Sequence, residues 1–173
     1  STDSLPFMSL DDRLSYYKIP GLSIAIIDND EIVYVKSYGS KDIESNRALD
    51  SKTMFQSAST GKTLTATLAL ILVNEGVINL DENINEQLRT WKIPKSNFTK
   101  DSIITLRKIL SHTAGLSTHG FDGYNKEEEL PDIYQILDGE KPANSEKVES
   151  IAVPGEKWQY SGGGYQIIQL LIE

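Results

Sequence analysis

The chain has 173 residues, 39% of them hydrophobic, enough to build a core. Its 17 Lys and Arg against 25 Asp and Glu give a net charge of -8, the wrong balance for a protein held on nucleic acid by phosphate contacts. Cysteine is absent, which excludes disulfides, thiolate catalysis and Cys-based zinc sites and fits an envelope or secreted location. The most apolar run, Leu68 to Val73, is too short to span a bilayer, so no transmembrane segment is expected.

In chain order, Ser9 reads as an N-cap with Asp12 in the first turn. Leu10, Leu14 and Tyr17 then recur at helical spacing until Pro20-Gly21. Leu22 to Ile27 and Ile32 to Tyr38 are rich in β-branched and aromatic residues and flank Asp28-Asn29-Asp30, which predicts a β-hairpin. The first of these strands is almost unbroken in apolar character, so both faces of the hairpin are expected to be covered.

Thr60 to Glu75 reads as a helix closed by Gly76, apolar on most sides and therefore expected at the centre of the packing. Thr105 caps a second helix through Leu106, Ile109 and Leu110, expected to stop near Gly115. From Leu116 to Val153 the chain is rich in Gly, Pro, Asp and Asn, with one short helical pattern at Ile133 to Leu137. So long an irregular stretch predicts a lid or binding loop that shapes substrate access, and the run Glu127-Glu128-Glu129 within it reads as a solvated loop. Pro154-Gly155 marks a turn, Trp158 to Tyr160 is extended, and Gly162-Gly163-Gly164 leads into a helix from Tyr165 that still runs at Glu173.

The stretch FQSASTGKT, residues 55–63, ends like a phosphate-binding loop. That motif needs a glycine where Gln56 stands, a buried strand before it and a later strand ending in Asp. All three are missing. A serine nucleophile paired with lysine fits better. Ser59 and Lys62 fall one turn apart on one helix face, so the ammonium can reach the hydroxyl. The helix N-terminus would favour a developing alkoxide there. Spacing alone is weak evidence, since Ser15 and Lys18 share it on the first helix, where both are expected to face water. About a hundred positions later, Tyr160 closes an extended segment before the glycine run, and its phenol could exchange a proton with the serine or a leaving group.

Three motifs in this order, FQSASTGKT, LSHTAGL (110–116) and PGEKWQYSGGGY (154–165), resemble the serine hydrolases related to class C β-lactamases and penicillin-binding proteins. The stretch IPGLSIAIIDNDEIVYVKSYG (19–39) resembles that family's N-terminal hairpin. The resemblance implies an α/β fold of the α+β type: an antiparallel sheet flanked by helices, residues 1–57, plus a mostly helical region, residues 58–173. It implies Ser59 as the acylated nucleophile, Lys62 as its activator and Tyr160 as general base and acid. The Ser59 N–H would supply half of an oxyanion hole.

Ser161 and Gly162 would stand at substrate-binding positions of the second motif, although the family usually carries Asn where this chain has Gly162. His112 resembles a structural helix-end histidine and is expected to cap or fill the core. His119 stands seven residues away with no HExxH pattern, so no metal and no organic cofactor are implied. The expected reaction is acyl transfer to water from an ester, an amide, a D-amino-acid peptide or a β-lactam, in the periplasm, cell envelope or medium of a bacterium, with the cytoplasm as the other location left open. The rival is a penicillin- or peptidoglycan-binding module acylated slowly or not at all. The family's third motif, Lys-Thr-Gly or His-x-Gly, does not follow Tyr160. A C-terminal segment or second chain is therefore expected to complete the fold.

Overall fold

The computed structural model describes residues 8–173, a mixed α/β chain that divides into two compact units, one ending at Gln56 and the other spanning Ser57–Glu173. In the first unit, helix α1 (Leu10–Tyr16) is capped by Ser9, whose hydroxyl accepts from Asp12 N at 3.1 Å. Lys18, at φ 54°, lies past the end of that helix, so its one-turn relation to Ser15 is lost. Strands β1 (Gly21–Asp28), β2 (Glu31–Asp42) and β3 (Arg47–Ala48) form one antiparallel sheet in the order β1-β2-β3.

Asn29 and Asp30 both take positive φ, 48° and 64°, the geometry a two-residue hairpin turn needs to match the twist of its strands. The covering expected on both faces is not found. Ile27, Ile32, Val33 and Val35 each remain more than half exposed. Besides the sheet, residues 8–56 hold only the seven-residue α1, too little to cover both faces of the ribbon.

In the second unit, a 3-10 turn (Ala58–Thr60) runs into α2 (Gly61–Asn74). That helix ends as its sequence predicts. Gly76 takes φ 73°, its N–H bonds Val73 O, and the Val77 N–H bonds Leu72 O, which satisfies the last free carbonyls. Its expected central burial is not found. Ala69 alone is buried, while Leu64 is 75% exposed and Leu68, Leu70 and Ile71 are about half exposed. One face of α2 packs against this unit; the rest of its apolar surface stands open.

Helices α3 (Ile84–Gln87), α4 (Leu106–Leu110) and α5 (Ile133–Asp138) are short, each with a side-chain N-cap: Asn83, Thr105 and Asp132. α4 stops well before Gly115, because His112 adopts φ 57° directly after the C-cap Ser111. Residues 116–153 are tied down at both ends. Ser117 N bonds Glu149 O and Ile151 N bonds Gly115 O, and Leu137 and Val148 are fully buried.

The final helix, α6 (Gly162–Ile172), packs on α2, α4 and α5. It begins three residues earlier than the sequence suggests, with the glycine run as its first turn. Ile167 and Ile168 are fully buried at its centre, each contributing about 1.5–3 kcal/mol before entropy is counted. Among the described residues no helix is long and apolar enough to cross a membrane.

Candidate active site

Ser59 stands in the 3-10 turn that opens α2, after Ala58 in the left-handed region at φ 44°. Alanine rarely adopts that conformation, and holding it there costs on the order of 1–2 kcal/mol. The turn projects the serine into a cleft, and its N–H lies in a first turn, where backbone donors have no intrahelical partner. Lys62, one turn on, donates from Nζ to Ser59 Oγ at 3.3 Å.

The extended segment before α6 brings Tyr160 to the same atom, its hydroxyl 2.9 Å from Ser59 Oγ. Lys62 Nζ also lies over the rings of Tyr160 and Tyr165, 5.1 and 5.4 Å from their centroids. Hydrogen bonding to Lys62, and then to Ser59, holds the Tyr160 phenol below its ordinary pKa. Tyr165 moves the other way, raised by burial and by Tyr160, and donates to Leu110 O at 3.3 Å. The two phenols therefore differ in kind. One is lowered by its hydrogen-bond partners, and the other is raised and held as a donor.

The cleft holding these groups measures about 700 Å³. Besides Ser59, Lys62 and Tyr160, it is lined by His119, Phe121 and Gly162. His119 and Phe121 belong to the part of the long loop that lines the cleft; the sequence offered His119 only as a rejected metal ligand and Phe121 not at all. Gly162 is buried and donates its N–H to His119 O at 3.0 Å.

Ser161, expected beside the substrate, turns inward instead and is only 4% exposed. Its hydroxyl donates to Ser117 O at 2.6 Å and accepts from Gly164 N at 2.9 Å, capping α6. Both roles of the hydroxyl are thereby used inside the protein. His112 lies behind Tyr160, with ring centroids 4.2 Å apart at 31°. Burial, then the charges of Lys62 and His119, push its pKa below the ordinary histidine value.

Comparison with known proteins bears on the family and the fold. The family model for "Beta-lactamase" matches residues 9–173. Among curated proteins, the chain is 27% identical over 158 residues to the protein Flp of Staphylococcus aureus (strain MRSA252), covering 90% of this chain and 30% of Flp. Among solved structures, the D-amino acid amidase of Ochrobactrum anthropi SV3, complexed with D-phenylalanine, superposes with a TM-score of 0.71 at 22% identity. That match covers 94% of this chain and 42% of the amidase. The octameric penicillin-binding protein homologue of Pyrococcus abyssi gives 0.68 at 23% identity, covering 94% of this chain and 36% of that one. The chain thus spans about a third of the length of these relatives. From residue 9 to its last residue, it belongs to the β-lactamase family of serine hydrolases.

Proposed function

We propose that the protein is an acyl-transferring serine hydrolase in which Ser59 is the nucleophile, Lys62 its activator and Tyr160 the proton carrier. The observation that carries this reading is the convergence of Tyr160 and Lys62 on Ser59 Oγ, at 2.9 and 3.3 Å, although Tyr160 is 101 residues away in sequence. Ser59 Oγ attacks the substrate carbonyl as its proton passes to the ionised Tyr160, whose phenolate the Lys62 ammonium stabilises. Tyr160 then delivers that proton to the leaving nitrogen or oxygen. Water next attacks the Ser59 ester and gives its proton to Tyr160; the acyl–Oγ bond breaks, the carboxylic acid leaves, and Tyr160 returns the proton to Ser59 Oγ. The Ser59 N–H, at the head of its turn, serves as one oxyanion donor.

Amides, esters, D-amino-acid peptides and β-lactams are the candidate substrates. The likeness to a D-amino acid amidase supports the amide end of that range. We place the protein in the periplasm, cell envelope or medium, and fractionation of the source cells checks that location.

The test is intact mass spectrometry before and after a fluorophosphonate probe, with Ser59→Ala alongside. One adduct on the whole protein, absent from its Ser59→Ala form, supports an activated serine; no adduct on the whole protein refutes it. A β-lactam that acylates Ser59 and stays there would favour a binding module over a hydrolase. A burst followed by steady release would favour turnover.

A further inference from the structure

Tyr160 belongs to no strand, so its position must be fixed from outside its own segment. Both peptide N–H groups around it go to a single residue. Gln159 N donates to His112 O at 2.7 Å, and Ser161 N donates to His112 Nδ1 at 3.1 Å. Between those two bonds, the imidazole lies against the phenol ring at 4.2 Å. The left-handed backbone of His112, at φ 57°, turns its carbonyl and its ring toward the same stretch of chain.

We propose that His112 is the positioning residue for Tyr160, a clamp that closes only while its imidazole is neutral with the proton on Nε2. The proposal rests on the reading of Tyr160 as proton carrier. His112 makes no hydrogen bond to Ser59 or Lys62, so it acts through the tyrosine it holds.

Only an unprotonated Nδ1 can accept the Ser161 N–H. A proton added there would set donor against donor and release the backbone beside Tyr160. The titratable groups around the imidazole are Lys62 on α2, His119 on the long loop, Tyr160 itself and Tyr165 on α6. None of them is a carboxylate; an ionised Tyr160 is the one anion that would favour a positive charge on His112, and Lys62 Nζ lies over that ring to oppose it. Burial and the nearby Lys62 charge disfavour that charge, which keeps the clamp closed at neutral pH and opens it in acid.

Two substitutions separate the clamp from simple filling of space. His112→Phe keeps an aromatic ring against Tyr160 and removes the acceptor. His112→Asn keeps an acceptor near the Nδ1 position and cannot titrate. The first measurement is the pH dependence of Ser59 acylation by a fluorophosphonate. The second is the ¹⁵N NMR signature of the His112 tautomer, with the hydrogen-exchange rate of the Ser161 amide.

The expected results are an Nε2–H tautomer in the unaltered protein and acylation slowed about 100-fold in His112→Phe, the scale of a misplaced catalytic group. Near-normal acylation should return in His112→Asn, which keeps the rise that Tyr160 ionisation gives and loses only the additional acid-side fall that His112 protonation adds. An Nδ1–H tautomer overturns the proposal, and so does a His112→Phe protein with the unaltered rate and pH profile. Should His112→Phe fail to fold, the tautomer and the acid limb of His112→Asn decide. If the unaltered protein forms no Ser59 adduct, the hydrolase reading falls. The clamp is then judged by Ser161 amide exchange, which must be slow in the unaltered protein and in His112→Asn.

Discussion

Replacing Ser161 by Ala distinguishes a helix cap from a substrate contact. The Ser161 hydroxyl accepts from Gly164 N at 2.9 Å, and losing such an N-cap costs about 1 kcal/mol. The same hydroxyl donates to Ser117 O at 2.6 Å, and leaving that part-buried carbonyl without its partner costs up to about 1–2 kcal/mol more. The two add to a destabilisation of up to about 2–3 kcal/mol. Both tryptophans, Trp91 and Trp158, lie in the unit spanning Ser57–Glu173, so tryptophan fluorescence during urea unfolding reports that unit. The expected outcome is a lower urea midpoint with an unchanged slope, and a matching fall in the fraction of protein able to acylate. A midpoint within about 0.5 kcal/mol of the unaltered protein, together with a raised KM, would refute the capping argument. It would return Ser161 to the substrate.

In Gly163→Ala, the added Cβ would stand 2.7 and 2.9 Å from the two methyl groups of the fully buried Val148. Overpacking of about 1–3 kcal/mol outweighs the roughly 1 kcal/mol of helix propensity gained, so the same urea series should show a net loss. Tyr160→Phe should slow Ser59 acylation by about 10²–10⁴-fold. Because Lys62 and Ser59 lower the Tyr160 pKa, acylation of the unaltered protein should rise with pH and level off below the range where free tyrosine titrates. A Tyr160→Phe protein that kept this rise would remove Tyr160 from the proton path.

Asp42, bonded by Ser45 and Arg47, is held at about 2. A carboxylate with a depressed folded pKa stabilises the fold above the ordinary carboxylate range and loses that effect as pH falls through its folded value. The β2–β3 connection should therefore loosen near pH 2, seen by NMR at Arg47, and Asp42→Asn should abolish that acid step.

What was legible in the sequence was local chemistry. Ser9, Thr105, Asn29-Asp30 and Gly76 each act within a few residues of themselves, so the caps and turns they predict are found in place. Helix α3 was illegible because distant partners hold it. Ile84 N bonds Ile104 O, and the Asn85 side chain bonds both backbone groups of Ile93. The glycine run was misread for a related reason. Glycines usually weaken a helix, yet here the first turn of α6 is pressed so closely on Val148 and Ile109 that no Cβ fits without movement. Ser59 and Lys62 were visible as a pair one turn apart, and Tyr160 by its place before the glycines. The two bonds from residues 159 and 161 back to His112 left no mark on the sequence, since neither the histidine nor the backbone amides advertise each other.

Gly162 shows the same limit at the position where this chain departs from its family's usual asparagine. A Cβ built there would come within 3.0 Å of His119 O, 3.2 Å of the Phe121 ring and 3.4 Å of Gly120 Cα. Two of these neighbours are backbone atoms, which cannot swing aside as the end of a flexible side chain can. The loop is also fastened in place. Gly162 N bonds His119 O and Gly163 N bonds Thr118 O, both at 3.0 Å. A side chain at 162 would therefore require residues 119–121 to give by a few tenths of an ångström. Gly162 has no side-chain amide, and the loop that carries His119 and Phe121 packs against the start of α6 there and lines the cleft. The glycine and the loop are one feature, of which the motif displays only the glycine.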